Sequence, residues 1–215
     1  MKLKKIASLM LAGIMAVSML AGCSNGNSNS GNTEEPVAPS TGVSAKVQSL
    51  LKNDDLITLS DNATYSSYLD SAIKKADVEA AAMGTMNTTN NVDAAIVNAL
   101  KSKFADNVVK YDVTNSFKAA TGVKVSLKDD VVLAYALAFD GKMSEEVVLN
   151  ALATKMNAYV VDTVLVSDKT DNNTHFVTID YTGSVSLQKV SKDGVSTWIA
   201  LFVVNSDVTR TEIDK

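Results

Sequence analysis

Apolar side chains recur at a helical period in the first half of the chain and alternate in the second, the change falling near Gly122. Ser44 to Lys52 predicts a short helix presenting Val47, Leu50 and Leu51. A longer helix is expected to start near Ser60-Asp61, whose side chains suit an N-cap. Along it Tyr65, Leu69, Ala72, Ile73, Ala76, Ala80 and Met83 fall on one stripe. A third helix from Asn91 to Phe104 buries Val92, Ile96, Ala99, Leu100 and Phe104, after a polar, turn-rich link over residues 84–90. Asn115 to Ala120 adds a short helical turn.

From Val131 to Phe139 large residues alternate with Val132, Ala134, Ala136 and Ala138, which favours a strand. Asp129-Asp130 ahead and Gly141 behind equally suit a capped helix, so the strand is the preferred of two readings. Ser144-Glu145-Glu146 opens a helix with its acids at the positive end, burying Val148, Leu149, Leu152 and Met156. The β-branched run from Ala158 to Val166 leads through a solvated loop, residues 167–173, into a strand from His175. There Val177, Ile179, Tyr181, Val185 and Leu187 keep one phase, so Gly183 is a bend within a single strand.

Asp193-Gly194 is a strong hairpin signal leading into Thr197 to Val204, a strand apolar on both faces and therefore expected to be central and covered twice. A two-residue loop places Phe202 opposite Val185 and Ala200 opposite Leu187. A three-residue loop places Leu201 and Ile199 there, and a one-residue slip exchanges the faces. The fold class that follows is α+β: a helical N-terminal half packed on a C-terminal antiparallel sheet, one domain over residues 43–215.

The N-terminus follows neither period. Lys2, Lys4 and Lys5 precede an apolar stretch of sixteen residues, Ile6 to Ala21, shorter than the roughly 20 that span a bilayer. It has the form of a secretory signal peptide, with small residues before the cut. Its end, Leu20-Ala21-Gly22-Cys23, resembles the lipobox of bacterial lipoprotein signal peptides: a branched apolar residue, two small residues and a cysteine. The resemblance covers residues 1–23. It implies removal of residues 1–22, a diacylglyceryl group on the Cys23 thiol, and lipid anchoring on the extracytoplasmic face of the cell membrane. Two acyl chains hold stably where one holds marginally.

Residues 23–42 then form the lipidated cysteine and a Ser/Asn/Gly-rich tether whose composition cannot bury enough surface to order it. Eighteen flexible residues reach roughly 20–25 Å. Without Lys2, Lys4 and Lys5, seventeen basic residues face twenty-four acidic ones, a net charge near −7. That argues against nucleic acid as a partner, where a clustered basic face is expected, and disfavours adsorption to anionic lipid heads. Cys23 is the sole cysteine, so no intramolecular disulfide braces the fold.

Candidate chemistry is sparse. His175, the single histidine, would serve a hydrolase as base, but no G-x-S-x-G presents a serine to it, and local packing at a strand end is the preferred reading. A His/Cys zinc site has too few ligands. Ser-x-x-Lys occurs at Ser49/Lys52, Ser71/Lys74 and Ser186/Lys189 without a K-T-G partner, at the frequency chance gives in a chain this rich in both residues. Glu145-Glu146 and Asp129-Asp130 are explained by helix ends and turns. Asp168 and Asp171, beside Asn172 and Asn173, lack the calcium-loop spacing. Trp198 reads as core, and Met83 and Met86 as core and loop filler. Tyr65, Tyr68 and Tyr111 are candidate contacts for a glycan or peptide.

The expectation is a membrane-anchored lipoprotein, a non-enzymatic binding or interaction module whose partner is an envelope protein or glycan. No cofactor or metal is expected. The alternatives are an envelope hydrolase using His175, or a structural subunit of an envelope complex.

Overall fold

The computed structural model describes residues 42–52, 55–76, 92–105, 111–114, 129–158, 169–171, 174–192 and 194–213. Residues 1–41, Ala80, Met83, Met86, residues 115–120 and the run after Ala158 lie outside these residues. Among the described residues are four helices and a six-stranded sheet, in the order α1 (Val43–Gln48), β1 (Thr58–Leu59), α2 (Ala63–Ala76), α3 (Ala94–Ala105), β2 (Tyr111–Thr114), β3 (Val131–Asp140), α4 (Glu145–Met156), β4 (Lys169–Asp171), β5 (His175–Lys192) and β6 (Val195–Glu212). The chain is α+β, with three helices in its N-terminal half and the long strands at its C-terminal end.

Short polar side chains accept the orphan backbone N–H groups at the helix starts. Ser144 Oγ accepts from Val147 N at α4, and Asp93 Oδ1 from Ala95 N at α3. The cap of α2 is not Ser60-Asp61, as the sequence suggested, but Asn62, whose Oδ1 accepts from Thr64 N at 2.9 Å and Tyr65 N at 3.2 Å. Asp61 turns to α1 instead, receiving Gly42 N at 2.6 Å and Ser44 N at 3.0 Å. An N-terminal carboxylate is favourable at either helix, so its spatial neighbour decides which one it serves.

The sheet runs β1-β5-β6-β3-β2, with β4 also on β5. Its centre, β5-β6-β3, is antiparallel as expected. Two short strands from the N-terminal half join its flanks in parallel, β1 on β5 and β2 on β3, so the whole sheet is mixed. These strands of two and four residues are too brief to show a period of two. Lys169–Asp171, expected as part of a solvated loop, pairs with β5 as the edge strand β4.

Val131–Asp140 is a strand, because its alternation divides cleanly between two covered faces. The hairpin takes the two-residue loop: Lys192 pairs with Val195, Val185 with Phe202 and Leu187 with Ala200. Gly194, at φ +76°, supplies the left-handed residue this turn needs. Gly183 lies within an unbroken β5, where a Cβ would come 2.5 Å from Val203 O and 3.0 Å from Leu59 Cδ2. Its missing side chain lets β6 and β1 close on β5.

Two cores follow, one on each face of the sheet. Under α1 and α4 lie Leu133, Tyr135, Leu137, Phe139, Val185, Leu187, Ala200 and Phe202. Under α2 and α3 lie Ala134, Ala136, Ala138, Ile199, Leu201 and Val203. Strand β6 is thus central and covered twice, as its doubly apolar pattern requires. The expected buried residues of α4 and α3 are all buried; on α1 Val47 and Leu51 are buried while Leu50 is exposed.

Helix α1 also closes a sheet edge. Ser44 Oγ accepts Val185 N at 2.9 Å and donates to Val185 O at 3.3 Å. One turn on, Gln48 donates to Ile57 O and accepts from Leu59 N. Two side chains at i and i+4 thereby take the hydrogen bonds a neighbouring strand would make.

Candidate functional site

The residues singled out by sequence separate in space. Leu20, Ala21, Gly22 and Cys23 lie outside the described residues. His175 is half-buried at the start of β5, its Nδ1 2.9 Å from Thr174 Oγ1, and it pairs in register with Asp171 on β4 and Glu212 on β6. Trp198 is buried in the core and donates from Nε1 to Met143 O at 3.0 Å, with Lys189 Nζ 5.3 Å from its ring centroid. The Ser-x-x-Lys matches do not pair: Lys74 bonds Asp70 Oδ2, Ser49 bonds Lys46 O, and Ser186 bonds Ser66. Asp130 Oδ1 accepts from Val208 N, tying the start of β3 to β6. Among the described residues no group of three or more His, Cys, Asp or Glu is placed to hold a metal ion.

Two of the tyrosines do share a place. Tyr65 stacks on Phe104 with centroids 5.5 Å apart, and Tyr68 meets the same ring edge-on at 5.4 Å. Phe104 is fully buried, so the cluster joins α2 to α3, and the two phenols stand at its rim. Tyr65 donates from its hydroxyl to Asn205 Oδ1 at 2.9 Å. Burial lifts its phenol above the ordinary value near 10; the bond to Asn205 opposes this and neighbouring Tyr68 adds to it. Tyr111 lies on β2, at the sheet's far flank.

The most unusual polar arrangement lies beside that cluster, between α2 and the even-numbered face of β5. Ser184, Ser186 and Gln188 are buried there. Ser66 Oγ and Ser186 Oγ are 2.9 Å apart, and Gln188 Nε2 donates to Asp70 Oδ1 at 3.2 Å. Asp70 also receives Lys74 Nζ at 2.9 Å, one helical turn on. Among the described residues, Ser184 Oγ and Gln188 Oε1 have no hydrogen-bond partner. A buried polar atom left open costs about 1–3 kcal/mol and calls for an explanation.

This seam continues an open strip. Beyond Ser184 the same face of β5 carries Thr182, Asp180, Thr178 and Phe176, opposite Asn205, Asp207, Thr209 and Thr211 of β6. Phe176 is 45 % exposed, Asp180, Asp207, Thr209 and Thr211 are exposed, and Thr178 and Thr182 are half-buried. The alternation from Thr178 to Gln188, polar at every even position, is visible in the sequence beside the apolar odd phase. What no sequence pattern shows is that α2 roofs one half of it.

A depression of about 390 Å³ lies between α1 and α4, lined by Lys46, Ser49, Leu50, Glu145, Glu146, Leu149 and Asn150. The Lys46 Nζ–Glu145 Oε1 pair joins its two helices at 2.7 Å, and both groups are solvent-accessible, so the pair contributes under about 1 kcal/mol.

No family model, curated protein or solved structure matches the chain. Fold and site together define an α+β protein with helices on both faces of a mixed sheet and a polar strip along one long strand.

Proposed function

We propose that the chain is a lipid-anchored extracytoplasmic lipoprotein whose folded domain is a non-enzymatic binding or interaction module of the cell envelope. The observation that carries this reading is Leu20-Ala21-Gly22-Cys23, placed at the end of a basic and then apolar segment, with Cys23 the sole cysteine of the chain. Residues 24–41, nearly without apolar side chains, supply the tether, and α1 begins at Val43. The acidic balance of the mature chain points the domain away from anionic lipid heads, leaving its surfaces to a protein or glycan of the envelope.

Labelled palmitate is the test. It should enter the wild-type protein in bacterial cells and be absent from Cys23→Ala, and the wild type should sediment with membranes while the variant does not. Equal labelling of both, or an unlabelled wild type, sinks the anchor and the address with it.

A further inference from the structure

We infer that the even-numbered face of β5 is a binding site for a neutral polyhydroxylated ligand, a glycan, laid along the strand and running from Phe176 toward Ser184. The inference rests on reading the domain as a binding module and names the ligand class of its site.

Three observations converge on it. First, the face is a continuous row of hydroxyl, carboxylate and amide groups, open from Phe176 to Thr182 and dipping beneath α2 at Ser184. Residues on one face of a strand are spaced about 6.6 Å, so Phe176 to Ser184 spans roughly 26 Å. Second, Ser184, 1 % exposed, has a hydroxyl that lacks a partner among the described residues where the strip meets the helix. A hydroxyl-bearing ligand satisfies it, because each of its groups donates and accepts. Third, Phe176 offers an exposed ring on the same face, suited to the apolar side of a sugar.

Charge selects the ligand class. Asp180 and Asp207 stand directly opposite each other on this face and both are exposed. Like charges in that register are unfavourable, and they turn away phosphates, sulfates and acidic peptides. Their oxygens accept from sugar hydroxyls, as the Asp70 carboxylate accepts from Gln188. The Tyr65–Asn205 bond stands between the open strip and Ser184. Exchanging it for bonds to the ligand frees the Asn205 amide and brings a ligand hydroxyl to Ser184 Oγ.

Isothermal titration of the full-length protein in detergent micelles tests this, with chitotetraose, cellotetraose, maltotetraose and xylotetraose as probes. Tetralysine and a heparin tetrasaccharide serve as cationic and anionic comparators. At least one neutral tetrasaccharide should bind with Kd below about 10 mM, and Phe176→Ala and Ser184→Ala should each weaken it about tenfold. Ser184→Ala removes a hydroxyl without a partner among the described residues and should unfold at or above the wild-type temperature, whereas Phe176→Ala, at a half-exposed strand position, should lower it by only a few degrees, so both variants stay folded for the titration. Binding of none of the four neutral probes, binding of the comparators alone, or binding indifferent to both variants overturns the site. Cys23→Ala should bind as the wild type does. A failed titration therefore leaves the anchor standing, and a failed palmitate experiment leaves the site standing.

Discussion

Replacing Ser44 by Ala should destabilise the domain far more than a serine-to-alanine change on a helix usually does. Ser44 is fully buried, and its hydroxyl is the acceptor for Val185 N at 2.9 Å, on the side of β5 away from β6, where among the described residues no strand pairs with Val185. Alanine leaves that N–H without an acceptor and without room for water, at about 1–3 kcal/mol. The second bond, to Val185 O at 3.3 Å, is long and adds little. Ala gains a few tenths of a kcal/mol in helix propensity over Ser, so the net loss should be about 2 kcal/mol. In a domain of this size that lowers Tm by roughly 4–8 °C. Ser49→Ala, which removes an exposed hydroxyl bonded to Lys46 O near the same helix, should stay within about 0.5 kcal/mol. Urea titration followed by circular dichroism reads the global term, and hydrogen exchange reads the Val185 amide. A loss below about 0.5 kcal/mol with the Val185 amide as protected as in wild type would refute the edge-closing role of α1.

Gly183→Ala places a methyl 2.5 Å from the Val203 carbonyl oxygen, a backbone atom that yields little, and should cost at least about 2 kcal/mol. Gly194→Ala meets nothing within 4 Å and suffers only its positive φ, about 1 kcal/mol; a denaturation midpoint ranking Gly194→Ala as the worse variant contradicts the close approach of β5 and β6. Tyr65 has its folded pKa raised by burial, so its contribution to stability is complete below the ordinary value near 10 and is lost as pH rises through the folded value. Stability should thus fall on the alkaline side of pH 10 and fall less in Tyr65→Phe; identical alkaline limbs would remove the shift from the account.

The helices and long strands were legible because each carries one dominant period. Phase alone placed Leu69, Ala72 and Ile73 on the buried side of α2, and Ile96, Leu100 and Phe104 on that of α3. The leucine-alanine alternation of β3 identified a strand because both phases are apolar and both are buried. What escaped was decided by spatial neighbours rather than by period. Asp61 lies one residue before the cap of α2 yet serves α1, accepting from Gly42 N nineteen residues back. Ser44 and Gln48 sit in a helix and act as strand partners. The hairpin register hung on whether Lys192 belonged to the loop, and it pairs with Val195 because that places Val185 and Leu187 against Phe202 and Ala200 under α1 and α4. The candidate site was half legible: its polar alternation can be read from Thr178 to Gln188, but the roof over Ser184 to Gln188 depends on where α2 lands.

That roof is held differently from the rest of the fold. On β3 the face under α2 and α3 carries the methyls of Ala134, Ala136 and Ala138, small enough for a helix to approach closely. On β5 the same face presents Ser184, Ser186 and Gln188, so α2 meets β5 through the bonds Ser66–Ser186 and Asp70–Gln188, and reaches β6 through Tyr65–Asn205. Bonds of this kind contribute about 0.5–1.5 kcal/mol each, whereas one buried leucine contributes about 1.5–3 kcal/mol. The apolar hold on α2 comes from the cluster in which Leu69 and Ile73 join Phe104 of α3 with Ile199, Leu201 and Val203 of β6. Where α2 meets β5 the contact is polar, and it leaves Ser184 Oγ and Gln188 Oε1 without partners among the described residues.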